Sequence, residues 1–330
     1  MKLLVIGGTI FLGRHCVEAA IRRGHEVTLF FRGKHGAALF PGVERILGDR
    51  STDINKLAGR NWDAVIDCCG YFPRDLVKST EGLKDSVGRY CFISSISAYA
   101  NESEYGRNEE SPLATTDDVE ATEITGENYG GLKAKCENVV RRAFGRRALV
   151  IRPGLIVGPN DISDRFTYWP VRFDRYDRVL SPNRREQPLQ VIDVRDLAEW
   201  TIDLLEREVG GDFSATGPAE PCNWGDFMEE CRRVVKPKVE IVWMDEEFLL
   251  ENGVQPWSDL PMWLSKQANA DGMDAIDLTK PLANGLKLRP MADTLSDTLV
   301  YYRSLPPDYV PRCGLSRQRE EELIEIWQSR

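Results

Sequence analysis

Histidine is almost missing from this 330-residue chain: only His15, His25 and His35 occur, all near the N-terminus. A Ser-His-Asp relay or a multi-histidine metal site elsewhere is therefore excluded, and acid–base chemistry must use another residue type. Paired cysteines are missing too. Cys16, Cys68, Cys69, Cys91, Cys136, Cys222, Cys231 and Cys313 form no CxxC pair and read as buried free thiols. Basic charge is short. The formal net charge is −9, which argues against nucleic acid or an acidic membrane as partner, since both need a basic footprint. No apolar run approaches the ~20 residues of a membrane span. The opening MKLLVIGG lacks the apolar length and small-residue cleavage site of a signal peptide. These absences predict a cytoplasmic protein. Repeats and low-complexity segments are absent as well. What remains is an ordinary globular balance, 42% hydrophobic and 29% charged, with room for one large or two moderate domains.

The stretch from Met1 to His15 organises the rest. Leu3 to Ile6 form a continuous apolar run, as in a strand buried on both faces. Gly7 and Gly8 break it. A helical pattern then runs through Cys16, Val17, Ala20 and Ile21 to Gly24. Strand, glycine turn and helix together can grip a dinucleotide: backbone N–H groups approach the pyrophosphate, and the helix N-terminus offers partial positive charge. A plain βαβ unit with tightly packed glycines is the competing reading. Glycines three apart would fall at 7, 10 and 13, but Ile10 takes the middle position.

Further candidate strands are His25 to Phe31, Gly42 to Asp49, Asp63 to Cys69, Tyr90 to Ser95 and Ala148 to Arg152. Asp49 would lie near the adenine of a bound dinucleotide. A short helix is expected at Asp53 to Ala58, and further helices at Pro73 to Val87 and Tyr129 to Phe144. Strands alternating with helices predict an α/β, Rossmann-type, doubly wound parallel sheet. Residues 100 to 128 carry nine acids and read as a solvated loop. After Gly158 the texture becomes aromatic and Arg-rich. Gln190 to Glu208 returns to a strand and an amphipathic helix, and Gly211 to Ala215 reads as a last strand of the main sheet. Short helices and prolines follow. The expected division is 1–160 with about 187–217 for the dinucleotide-binding domain. A smaller, mixed C-terminal substrate lobe takes about 161–186 and 218–330.

Tyr129 and Lys133 are four apart, on one face of the predicted helix. An ammonium there would favour the phenolate and bring the tyrosine toward a usable acid or base. Such pairs are common on surface helices. Here, though, the pair follows a glycine-turn βαβ unit and Ser94-Ser95 at a strand end.

In the GGTxFLG turn, DAVIDCCG, FISSISAY, Tyr129-x-x-x-Lys133, RPGLIVGP and VIDVRDLAEW, the chain resembles an extended short-chain dehydrogenase/reductase, of the NAD-dependent epimerase/dehydratase superfamily. The resemblance covers Met1 to about Gly217 well and the remainder loosely. The turn without its second motif glycine is similar to an atypical bacterial subgroup that includes sugar dehydratases and RNA-binding proteins. The resemblance makes Tyr129 the general acid/base. It gives Lys133 the nicotinamide ribose and the tuning of Tyr129. Ser95 would hydrogen-bond the substrate oxygen, with Ser94 in reserve. Gly7, Gly8, Phe11, Leu12 and Gly13 would line the pyrophosphate, with Thr9 and Pro153 in the same cofactor set. Two departures stand out: Ile10 in the turn, and the 34 positions from Ser95 to Tyr129.

The cofactor preference is read separately. An NAD site wants an acid on the ribose 2′-OH about 20 residues past the glycines. This chain offers Phe31-Arg32-Gly33. Arg32 suits a 2′-phosphate, so NAD(P)(H) leaning to NADP(H) is expected. Substrate contacts are expected from strand-end loops: Tyr71 and Arg74, Gly154 and Leu155, and Arg165, Tyr168 and Trp169. The expected function is an NAD(P)-dependent oxidoreductase acting on a small molecule, with a sugar or nucleotide-sugar as the family-level substrate. An epimerase or dehydratase with recycled NAD, and a catalytically silent RNA-binding-like protein, stay open beside it. The pattern leaves the oligomeric state open, a homodimer being compatible.

Overall fold

A computed structural model describes residues 1–330. Eleven strands appear in chain order: β1 Lys2–Ile6, β2 Glu26–Phe31, β3 Glu44–Leu47, β4 Trp62–Asp67, β5 Val87–Ile93, β6 Ala148–Pro153, β7 Leu155–Val157, β8 Arg178–Pro182, β9 Val191–Asp193, β10 Gly211–Ala215 and β11 Glu240–Met244. The helices are α1 Phe11–Arg22, α2 Pro73–Leu83, α3 Tyr129–Phe144, α4 Tyr168–Arg175, α5 Val194–Glu206, α6 Trp224–Val235, α7 Glu246–Glu251, α8 Thr279–Ala283, α9 Met291–Arg303 and α10 Arg317–Gln328.

Seven strands form one sheet in the order β10-β6-β5-β4-β1-β2-β3. Every pairing within it is parallel. The order reverses beside β1, between β2 on one side and β4 on the other, and such a switch point opens a crevice at the strands' carboxyl ends. Leu3 to Ile6 are at most 1% exposed, as two-sided cover requires. One core cluster lies with α1 and α5 on one face, and another with α2 and α3 on the other. A separate core draws on residues 157 to 324, with Trp169, Trp224 and Trp263 at its centre. The parallel pairs β7–β9 and β8–β11 complete the chain's sheets. No helix is long and apolar enough to cross a membrane.

Several expectations move. Helix α2 stops at Leu83, because Val87 opens β5. Strand β5 ends at Ile93, so Ser94 and Ser95 fall just beyond it. The helix expected at Asp53 to Ala58 is a single tight turn, Ile54–Leu57. Residues 100 to 128 are more than a solvated loop. Gly106 N–H donates to Ala275 O at 2.7 Å, and Asp277 N–H donates to Arg107 O at 2.9 Å. Arg107 is 1% exposed, stacks on Tyr99, and donates to Gly272 O. Glu109 accepts from Ser214 N–H at 2.6 Å. The loop is acidic where it meets water and anchored where it meets the C-terminal residues.

Candidate active site

The carboxyl ends of β1, β2, β4, β5 and β6 open into one cleft of about 880 Å³. Its first wall is the turn after β1. Gly7 and Gly8 have φ of +101° and +80°, a region that costs L side chains energy. A Cβ on Gly8 would lie 2.6 Å from Leu29 Cδ2, and one on Gly13 would lie 2.7 Å from Gly8 N. The helix therefore packs directly on the turn. Ile10 lines the cleft, 42% exposed, and gives α1 no side-chain cap. The first N–H groups of α1 are left for an anion.

A second wall comes from the ends of β2 and β3. Arg32 is exposed at the cleft rim, and Asp49 lies opposite. The Ser51 hydroxyl and N–H, at 2.6 and 2.9 Å, hold the Asp49 carboxyl below its ordinary range, with the charges of Arg32 and Lys34 adding to this. Next to it stands a group that the sequence pattern did not signal. Arg50 lines the cleft and grips the fully buried Asp67 with two bonds of 2.7 and 2.8 Å. Tyr90 donates to the same carboxylate at 2.6 Å. Burial would raise Asp67, but Arg50 and Tyr90 outweigh it and hold it low. Cys68 and Cys69 border the turn. Burial pushes the Cys69 thiol up to about 12, so it is no ready thiolate.

The floor is formed by Ser95, Tyr129 and Lys133, with Pro153 and Gly154 beside them. Glycines bring them together. A Cβ on Gly130 would lie 2.1 Å from Ser97 O, and one on Gly131 2.8 Å from Thr115 O. Only a bare helix start approaches the Ser95–Tyr99 segment this closely. Ser95 Oγ accepts from Ser97 N–H at 3.1 Å. Tyr129 is half-buried. Burial raises its phenol above the ordinary value, while the neighbouring Ser95 hydroxyl and the charge of Arg165 oppose the rise.

Lys133 differs from expectation. Its ammonium donates to Gly70 O at 3.0 Å and Ile93 O at 2.6 Å, and rests 4.4 Å from the Phe92 ring. Burial lowers it to about 8. The amine is engaged by carbonyls at two strand ends, and it is not among the groups that lower Tyr129.

Beneath the floor lies a second group missed from sequence. Glu137, fully buried one turn past Lys133, accepts from Ser94 Oγ at 2.5 Å and from Arg152 Nε and Nη2 at 2.9 and 2.8 Å. Arg141 Nη2 adds a bond of 2.6 Å. The Ser94 hydroxyl is thus engaged by Glu137, while Ser94 and Ser95 both line the cleft.

Among the expected substrate contacts, Tyr71, Arg74 and Gly154 line the cleft, and Arg74 Nη1 donates to Ala121 O at 2.6 Å. Arg165 lies back from the wall, over the Trp257 ring at 5.4 Å, with no ion pair of its own. Leu155, Tyr168 and Trp169 do not belong to the cleft. Leu155 packs on the second core, and Trp169 is buried there, donating to Pro261 O at 3.0 Å. Tyr168 lines a different cavity. Their hydrophobic surface is what places them inside a core. No group of three or more His, Cys, Asp or Glu is placed to hold a metal ion.

Residues 3–215 match the model of the NAD dependent epimerase/dehydratase family. The chain belongs to this family. It is a family of enzymes, and the implied cofactor is a dinucleotide. The residues fit one: an uncapped helix N-terminus, a turn that side chains would fill, and a long cleft across the switch point. Among curated proteins, the chain is similar to the chloroplast stem-loop binding protein of 41 kDa b of Arabidopsis thaliana. The two are 26% identical over 223 residues, 63% of this chain and 56% of that protein. The chain thus spans about half the length of this curated relative. Among solved structures, it resembles UDP-N-acetylglucosamine 4-epimerase from Bacillus cereus, with TM-score 0.68 and 16% identity over 92% of this chain and 100% of that one. UDP-glucuronic acid 4-epimerase from Bacillus cereus, in complex with NAD, gives TM-score 0.66 and 16% identity, over 92% and 97%. At these identities the likeness is one of fold.

Proposed function

We propose that the protein is an NAD(P)-dependent oxidoreductase acting at a hydroxyl or carbonyl carbon of a small molecule, a sugar or nucleotide-sugar by family expectation. The observation that carries this reading is the pairing of Tyr129 and Ser95 on the floor of the cleft. When bound, the dinucleotide supplies or takes a hydride. The chain's residues do the rest. Ser95 Oγ holds the substrate oxygen. Tyr129 moves the proton at that oxygen. Its raised pKa keeps the phenol protonated near neutrality, so the resting group is a proton donor, as carbonyl reduction requires. Lys133 offers its ammonium to the ribose hydroxyls from a fixed position between two carbonyls. Arg32, exposed at the rim and in no salt bridge although its charge acts on Asp49, supports a 2′-phosphate and so NADP(H).

The test is Tyr129→Phe. Turnover should fall by at least the ~10²–10⁴-fold typical of a lost acid/base group, with dinucleotide affinity nearly unchanged. Unchanged turnover would remove Tyr129 from the mechanism. The family description suits recycled NAD equally well, so denatured protein should be assayed for released dinucleotide. Near-stoichiometric NAD⁺ would favour an epimerase or dehydratase. The name of the Arabidopsis relative brings in a nucleic-acid stem-loop as a rival ligand. The net charge of −9 opposes it, and tight stem-loop binding without dinucleotide binding would establish it instead.

A further inference from the structure

We propose that Arg165, and not Lys133, is the positioning cation for Tyr129. Lys133 stands one turn past Tyr129 on α3, but its ammonium is committed elsewhere. It donates to Gly70 O at 3.0 Å and Ile93 O at 2.6 Å and rests 4.4 Å from the Phe92 ring. Burial weakens it further as a partner. It lowers Lys133 to about 8, while the Tyr129 phenol is raised above its ordinary value. The amine therefore gives up its charge before the phenol ionises. A guanidinium keeps its charge throughout that range.

Arg165 is half-buried, and its charge is unspent. The guanidinium forms no ion pair and no hydrogen bond within the chain, and lies 5.4 Å from the Trp257 ring. The carboxylates nearest in sequence are engaged by other donors. Asp161 accepts from Ser163 N–H and Oγ–H at 2.7 and 2.9 Å. Asp164 accepts from Tyr309 Oη–H at 2.6 Å and Arg312 N–H at 3.0 Å.

The segment that carries Arg165 is fixed at both ends. Helix α1 holds one end: Arg14 Nη1 donates to Asn160 Oδ1 at 2.7 Å, and His15 Nε2 donates to Pro159 O at 2.9 Å. At the other end Tyr168 N–H donates to Asp164 O at 2.9 Å as α4 begins. Between them Ile162 lines the same cleft as Ser95 and Tyr129. Asn160, Asp164 and Trp257 hold φ of +70°, +58° and +65°. Such backbone persists only where the surroundings impose it, and here it frames the one guanidinium left without an acceptor.

Few groups act on the Tyr129 hydroxyl. Ser95 offers its hydroxyl, Arg165 supplies charge, and no carboxylate is among them. Tyr71 lies near as a neutral phenol, pushed up to about 12 by burial. A cation there stabilises the phenolate that remains when Tyr129 gives up its proton. This inference rests on the reading of Tyr129 as the proton donor.

The test places fluorotyrosine at position 129 of the full chain and follows its ionisation by fluorine NMR. Fluorine lowers the midpoint of the phenol, which keeps the titration in a range where the chain is folded. Arg165→Gln removes the charge and should raise that midpoint by about half a pH unit or more. Arg165→Lys restores the charge and should bring the midpoint back toward wild type. Lys133→Met should move it less than Arg165→Gln does. An unmoved or lowered midpoint in Arg165→Gln, the same rise in Arg165→Lys, or a larger shift in Lys133→Met would overturn the proposal. A rise in Arg165→Gln that Arg165→Lys reverses, in a chain whose Tyr129→Phe variant keeps its turnover, would leave this pairing standing while the oxidoreductase reading fell.

Discussion

Replacing Glu137 with alanine should destabilise the protein by about 3–5 kcal/mol, the cost of removing one partner from a buried ion pair. The structure sets this figure. Arg152 is 1% exposed and takes two of its bonds from Glu137. Without them it keeps Tyr99 Oη and Asp212 Oδ2, each at 3.2 Å, as its remaining partners within that distance. Ser94, 4% exposed, would lose its acceptor as well. Desolvation of a buried guanidinium left with one longer ion pair, to the partly exposed Asp212, therefore dominates, and the vacated volume adds to it. Glu137→Gln keeps the shape and one acceptor oxygen, so it should cost less, about 1–3 kcal/mol. Glu137→Leu with Arg152→Met removes both charges and should recover most of the loss, because isosteric apolar pairs commonly match buried ion pairs. The assay is urea unfolding at pH 7, followed by tryptophan fluorescence. A Glu137→Ala protein within about 1 kcal/mol of wild type, or a double variant no more stable than Glu137→Ala, would refute the reasoning.

Arg32→Ala should weaken NADPH more than NADH by about 1.5–3 kcal/mol, the worth of a hydrogen bond to a charged group; equal wild-type affinities for both cofactors would contradict it. Asp274 gives a pH signature. Burial raises it to about 8, with Asp271 adding and Arg107 opposing. The folded chain then holds a proton that the unfolded chain releases near pH 3.9, so stability falls as pH rises between about 4 and 8. Asp274→Asn should flatten that fall. Melting temperatures of both proteins at pH 5 and pH 8 decide it, and an equal drop in each would count against a buried protonated carboxyl.

The sheet was legible because its strands announce themselves. Leu3 to Ile6, Ala64 to Ile66 and Leu149 to Ile151 are continuous apolar runs, and burial on both faces demands that pattern. The glycine turn and the Tyr129–Lys133 spacing were legible for the same reason: their positions are tied to local backbone geometry. Tyr168 and Trp169 were not, since an aromatic side chain serves a core and a sugar site equally well. Glu137 and Arg107 look like surface charges in sequence. Only the opposite partner, 15 positions away in Arg152 and 165 in Gly272, shows that they are interior. Arg50 escaped for a similar reason, its carboxylate lying on another strand. Lys133 was placed correctly on its helix face, but its carbonyl partners at Gly70 and Ile93 belong to strand ends that helical spacing does not describe.

The anchoring of residues 100 to 128 bears on how the chain can be divided. The family match ends at residue 215, near the end of the large sheet. A fragment cut there would still contain Ser95, Tyr129 and Lys133. It would lose Gly272, Ala275 and Asp277, the residues against which Arg107 and its neighbours are zipped. The stretch between serine and tyrosine would then hang free, with a bare guanidinium where an interior one had been. Dissection at the family boundary would deliver the large sheet and its cleft residues with residues 100 to 128 unanchored, and a fragment that keeps that stretch in place must extend past Asp277.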